Sequence, residues 1–141
     1  MIKQAVSDID INKCFAVMAE LRPHLQEDTF LAVVRHMEKE GFRMACIEAG
    51  DEVVAVAGYR VFTNLFLGKN LYVDDLVTAA RARSRGHGAT LLSWLRLVAI
   101  EEDCAHFHLD SGTQRQQAHK FYFRQGLCIS SYHFSASLDR N

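Results

Sequence analysis

The stretch Arg83-Ser84-Arg85-Gly86-His87-Gly88-Ala89-Thr90 follows an apolar run and opens a segment with helical spacing. Two glycines let the backbone turn tightly with its N–H groups pointing outward, and the first turn of a helix leaves such donors unpaired. With the helix dipole and the two arginines, this makes a nest suited to a phosphate or pyrophosphate. No Gly-Lys-Ser/Thr follows, so it is not a Walker loop, and the three-glycine dinucleotide fingerprint is absent. The same residues could also be plain turn chemistry capping a surface helix. Asp74 and Asp75 precede the nest as adjacent carboxylates. Neighbours on a strand face opposite sides, so at most one can point into a given cleft unless a bulge intervenes. His106, His108 and Asp110 alternate, and such a set can bind zinc. No further ligand is fixed by spacing, and no metal is expected.

The elements that must position these groups follow from periodicity. Ile2 to Val6 read as a short strand, and Ser7 or Asp8 caps a helix with Ile11, Phe15, Met18 and Leu21 on one face, widened by Cys14 and Val17. Pro23 separates it from a second helix, with Phe30, Val33, Val34 and Met37 inward and Gly41 at its end. Strands are expected at 42–48 and 53–62, joined by Ala49-Gly50-Asp51-Glu52. The unbroken apolar run Val53 to Gly58 implies cover on both faces. Asn64 to Asn70 reads as a loop. A fourth strand ends in Leu76-Val77-Thr78, and a helix runs from the nest to about Glu102, burying Leu91, Leu92, Leu95, Val98 and Ala99. Trp94 is a packing residue. A fifth strand over 104–110, a helix over 114–125 and one or two closing strands over 128–138 complete the order. This is a mixed α/β sandwich with helices on both sheet faces, in one domain spanning 1–141.

Composition narrows the function. The net charge of −1 provides no field to recruit nucleic acid, and the only basic cluster is Arg81, Arg83 and Arg85. No apolar run approaches the roughly eighteen residues of a membrane span. Met1-Ile2-Lys3-Gln4 has no long apolar core behind it, so no secretory leader is expected. The four cysteines, Cys14, Cys46, Cys104 and Cys128, form no Cys-x-x-Cys pair. They read as small buried hydrophobes in a reducing, cytoplasmic setting.

Two blocks carry a resemblance. Arg83-x-x-Gly86-x-Gly88 after Asp75-Leu76-Val77-Thr78, and Ala118-His119-Lys120-Phe121-Tyr122-Phe123-Arg124-Gln125-Gly126-Leu127, together resemble the signature blocks of the GNAT family of N-acetyltransferases. The likeness implies a GNAT-like α/β fold, with a mostly antiparallel sheet of six to seven strands flanked by about four helices. It implies acetyl-coenzyme A as co-substrate, its pyrophosphate held by Arg83, Ser84, Arg85, Gly86, His87, Gly88, Ala89 and Thr90. The pantetheine would pair with the backbone of Leu76, Val77 and Thr78, an N–H near Val77 polarising the acetyl carbonyl. Ala118 belongs to the second block. Arg115 occupies a position where the family commonly has Asn, so Ser111, Gly112 or Arg115 would make that pantetheine contact.

By the same resemblance, Tyr122 is the general acid, since a phenol of pKa about 10 can protonate a thiolate. Asp74 is the favoured base or the attractor of a cationic amine, and Asp75 is the alternative. The acceptor implied is a primary amine, a small molecule by preference, attacked without a covalent enzyme intermediate. A non-catalytic acyl-coenzyme A-binding module is the competing reading. The apolar final strand, Tyr132 to Leu138, could pair across a homodimer.

Overall fold

The computed structural model describes residues 1–139. The chain divides into two compact units, Met1–Leu109 and the residues from Asp110 onward.

The first unit is built on an antiparallel core. Strand β1 (Ile2–Gln4) pairs with β2 (Phe42–Ala49), β2 with β3 (Glu52–Asn64), and β3 with β4 (Gly68–Thr78). The short β5 (His106–Leu109) joins β4 in parallel, giving the order β1-β2-β3-β4-β5. Helices α1 (Asp8–Leu21) and α2 (Glu27–Glu38) lie between β1 and β2 in sequence, and α3 (His87–Glu101) lies between β4 and β5.

The helices begin and bury where side-chain chemistry dictates. Ser7 caps α1, its hydroxyl accepting from the Asp10 N–H at 3.1 Å, and Ile11, Cys14, Val17 and Met18 are buried. Phe15 meets Phe30 of α2 edge-on at 5.3 Å. Val33, expected inward, is exposed, because the buried face of α2 narrows to Phe30 and Val34. The thiols of Cys14 and Cys46 meet between α1 and one sheet face. On the opposite face, Trp94 of α3 packs edge-on against Tyr59 at 6.0 Å. Leu91, Leu92, Leu95, Val98 and Ala99 form the buried side of α3. Residues 53–57 of β3 are buried, as expected for a strand covered on both faces.

Three expectations are corrected. Asn64 to Asn70 is not an open loop: β3 and β4 extend through it and leave a turn over 65–67, with the Asn64 carboxamide oxygen accepting from the Leu67 N–H at 2.7 Å. Residues 128–138 belong to no strand, so the sheet has five strands rather than six or seven among the described residues. Cys104 is half-buried and Cys128 exposed, since neither lies in a packed stretch of helix or strand.

The second unit carries α4 (Gln116–Arg124). Gly126, at φ +84°, ends the helix, and the N–H of Leu127 returns to the Tyr122 carbonyl at 3.1 Å.

Candidate active site

Between β3 and β4 the register slips by one residue. Gly58 faces Asp75 and Tyr59 faces Val73, so Asp74 is the extra residue of a β-bulge. The bulge cancels the usual alternation and brings both carboxylates to the face that carries Arg60 and Phe42. Asp74 is clamped by Arg60, whose Nε and Nη2 donate to its two oxygens at 2.9 and 2.8 Å. Asp75 lies deeper, its side chain 13% exposed, and accepts from Arg22 Nε at 3.0 Å. Arg22 Nη2 also donates to the Asp74 carbonyl at 3.0 Å, so the end of α1 is tied to the bulge. Burial pushes the Asp75 carboxyl above the ordinary carboxylate range, against the opposing pull of Arg22.

Gly58 makes that burial possible. A Cβ at this position would lie 2.5 Å from Asp75 Oδ2 and 2.6 Å from Phe42 Cε1. The missing side chain is therefore the space in which the carboxylate sits.

Four residues before this pair on β4 lies a second polar group. Asn70 is fully buried, and its amide donates to the carbonyls of Phe62 and Gly68 at 3.1 and 3.0 Å. Carbonyls only accept, so the Asn70 oxygen is left as the acceptor for His108 Nε2 at 2.8 Å. His108 therefore carries its proton on Nε2. Its ring meets Tyr72 edge-on at 5.0 Å, and the Arg60 guanidinium lies over Tyr72 at 5.5 Å. His106 approaches the Leu67 carbonyl at 3.4 Å, so the two histidines serve separate protein partners. Asp110, in the second unit, pairs with His133 at 3.5 Å. Among the described residues, no group of three or more His, Cys, Asp or Glu could hold a metal ion.

The β4–β5 ladder ends at Val73–Leu109, whereas β4 continues to Thr78. The edge of β4 beyond the bulge is thus paired to β3 only. Register identifies which groups point outward. The Ala79 N–H donates to the Val54 carbonyl at 2.8 Å, and paired residues in an antiparallel ladder alternate. Val77 and Asp75 therefore turn their backbone groups to Val56 and Gly58. The N–H and C=O groups on the open edge belong to Leu76 and Thr78, on either side of Val77.

That edge leads to the nest. The turn Ala80–Ala82 is fixed by Glu20 Oε1, which accepts from the Ala80 N–H at 2.9 Å, and by Arg81, which donates to Glu52 at 2.9 Å. Ser84 (φ +67°) and Gly86 (φ +80°) both adopt left-handed backbone, and no side chain caps α3 at Gly86. Alternating handedness of this kind turns successive N–H groups into one concavity. Thr90 closes the turn from behind, its N–H and Oγ1 donating to the Gly86 carbonyl at 3.0 and 2.9 Å. Arg83 and Arg85 are exposed, while His87, Gly88 and Ala89 are half-buried. Arg81, committed to Glu52, does not join Arg83 and Arg85 as a free basic cluster.

In the second unit, burial pushes the Tyr122 phenol above its ordinary value, so it stays protonated at neutral pH. Phe121 packs edge-on against it at 5.3 Å. Ser111 Oγ is buried with no protein hydrogen-bond partner. Such an orphan fits a residue that bonds a ligand. His119 Nε2 donates to the Gly112 carbonyl at 2.7 Å, holding the loop ahead of α4, and Ala118 is half-buried. Sequence reasoning missed the roles of Gly58, Arg22, Arg60 and Asn70. Only the Gly in an apolar strand carried a signal, since it marks a bulge or a close approach.

The chain is similar to known proteins over nearly its whole length. Residues 10–127 match the family model described as Acetyltransferase (GNAT) family. The chain is 31% identical over 135 residues to the uncharacterized N-acetyltransferase YhdJ of Bacillus subtilis (strain 168), covering 94% of this chain and 95% of that protein. In fold it resembles glucosamine-6-phosphate N-acetyltransferase from Arabidopsis thaliana, with TM-score 0.80, 18% identity, and 99% and 98% of the two chains covered. It also resembles the aminoglycoside N-acetyltransferase AAC(6')-Iy solved in complex with CoA, with TM-score 0.85, 12% identity, and 98% and 93% covered.

Proposed function

This chain belongs to the acetyltransferase (GNAT) family, and from that premise we propose that it transfers an acetyl group from acetyl-coenzyme A directly to a primary amine of a small-molecule acceptor. The observation that carries the reading is the one-sided edge of β4, with a left-handed nest at one end and a buried carboxylate at the other. An extended arm ending in a diphosphate matches that layout in kind and in polarity.

In this reading, Arg83, Ser84, Arg85, Gly86, His87, Gly88, Ala89 and Thr90 hold the diphosphate through outward N–H groups and the α3 dipole. Leu76 and Thr78 pair with the amides of the arm, and Ser111, Arg115 and Ala118 of the second unit are assigned to the coenzyme on their motif alone. Acetyl-coenzyme A supplies the activated thioester. The Leu76 N–H donates to the carbonyl oxygen on which charge develops. Asp75 takes the proton of the attacking amine, a task for which its raised pKa suits it. Asp74, with both oxygens held by Arg60, is a positioning residue and not the base. Tyr122, assigned on its motif, gives its phenolic proton to the sulfur as the carbon–sulfur bond breaks. Amino sugars are the first acceptors to test, since two structural neighbours carry such substrates in their names.

The test measures free thiol released from acetyl-coenzyme A across an amine panel, alongside calorimetric binding of coenzyme A. We expect amine-dependent release, and a loss of about 100-fold in kcat for Tyr122→Phe with coenzyme binding retained. Tight binding with no thiol released by any amine would overturn the enzymatic reading.

A further inference from the structure

We infer that Glu20 is a positioning residue for the coenzyme, a role that rests on the coenzyme reading proposed above. From the last turn of α1 it fixes the turn that leads into the nest, while Arg22 of the same helix end fixes Asp75.

A carboxylate is locally unwelcome in that place. Glu20 faces the negative end of the α1 dipole, and no basic residue in the last turn offsets it. Its charge is used across the fold instead. Oε1 accepts from the Ala80 N–H at 2.9 Å, 60 residues away in the chain. Ala79, which precedes the Ala80–Ala82 turn, has no side chain able to cap it, so Glu20 supplies the cap.

Residues two apart on a regular helix point away from each other. Arg22 has left helical geometry, at φ −121° and ψ 75°, and the two side chains reach the same strand and its exit. Arg22 holds Asp75 and the Asp74 carbonyl, each at 3.0 Å. Between these tie points lie Leu76 and Thr78, whose N–H and C=O groups form the open edge. Asp75 to Ala80 is on the order of 16 Å of extended chain, and one helix end grips both limits. The β3 side holds the turn independently. The Ala79 N–H donates to the Val54 carbonyl at 2.8 Å, and Arg81 donates to Glu52 at 2.9 Å. Loss of Glu20 therefore lets the nest shift without undoing the strand, and a misplacement of about 1 Å is costly at a site that must hold a ligand in register.

Calorimetric binding of coenzyme A to the full chain tests the role. Glu20→Ala should weaken affinity about 10-fold, with a melting midpoint within about 2 °C of the parent. Glu20→Gln keeps a side-chain carbonyl oxygen for the same bond and should bind within about 3-fold of the parent. The charged groups acting on Asp75 are Arg22, Asp74 and Arg60. Its carboxyl titration, followed by carbon-13 NMR, should therefore be unmoved in Glu20→Ala and move upward in Arg22→Ala. Unchanged coenzyme affinity in Glu20→Ala overturns the role of Glu20 and leaves the coenzyme reading standing. A Glu20→Gln variant as impaired as Glu20→Ala overturns it too, as does a loss of affinity that tracks a lowered melting midpoint. A parent chain that binds no coenzyme A overturns the coenzyme reading itself, and the role of Glu20 with it.

Discussion

Replacing Gly58 by alanine tests whether the space beside β4 holds the buried carboxylate in place. The new Cβ would stand 2.6 and 2.7 Å from two ring carbons of Phe42, and 2.5 Å from Asp75 Oδ2. Ordinary carbon contacts begin near 3.5 Å, so the ring must retreat by about 1 Å. Phe42 is only 5% exposed and cannot move freely. Overpacking of this kind costs about 1–3 kcal/mol. The lost flexibility of glycine in the unfolded chain returns about 0.4–1 kcal/mol. The net loss is about 1–2 kcal/mol, and at roughly 4 °C per kcal/mol the midpoint should fall about 4–8 °C.

The substitution should act on chemistry as well. Asp75 is driven outward, its burial is relieved, and its raised pKa falls toward the ordinary value. The acidic limb of the pH–rate profile should then move to lower pH. Calorimetric melting and thiol release from pH 4 to 9 read both effects. Adding Phe42→Leu, which vacates ring volume, should recover about 1 kcal/mol through coupling. A variant as stable as the parent, with an unmoved acidic limb, would show that Gly58 does not set the position of Asp75.

Other perturbations address the remaining parts. Because the Asp75 pKa is raised on folding, the native state binds more protons, and its penalty grows as pH rises from about 3.8 through the folded value. Asp75→Asn should therefore gain stability relative to the parent as pH rises through that window, in urea titrations, while losing transfer activity. Ser84→Gly should stabilise by about 1 kcal/mol by relieving left-handed backbone, and Gly86→Ala should cost about 1 kcal/mol and weaken coenzyme binding. Equal coenzyme affinity in parent and Gly86→Ala would refute the nest. Asn70→Asp loses both donors to the Phe62 and Gly68 carbonyls, so it should destabilise by about 2–3 kcal/mol in thermal melts at pH 8.

Periodicity made the layered fold legible because most of these elements bury one face. The α3 stripe from Leu91 to Ala99, the Ser7 cap and the doubly covered β3 each follow from local spacing. The nest was legible too, since glycine placement and arginines are local features. What stayed hidden depends on pairing between strands. The bulge at Asp74 exists only relative to Gly58 and Tyr59, so alternation along β4 alone could not bring both carboxylates to one face. The outward direction of Leu76 and Thr78, rather than Val77, likewise belongs to the register with β3. Arg22, Arg60 and Asn70 lie far in sequence from the groups they hold. The alternating pattern over 128–138 suggested a closing strand, yet alternation alone does not make one, and the segment belongs to no strand.

The two carboxylates at the bulge face two guanidiniums, so the floor of the cleft is close to neutral as a unit. If the acceptor is the cationic amine proposed above, it is not drawn in from a distance, and dissolved salt has little long-range attraction to screen. On the proposed assignment, selection begins at contact, where an amine meets a carboxylate that Arg22 already holds through Oδ1. On that assignment the encounter rate should be nearly flat in ionic strength, and discrimination among amines should arise from contacts at the site itself.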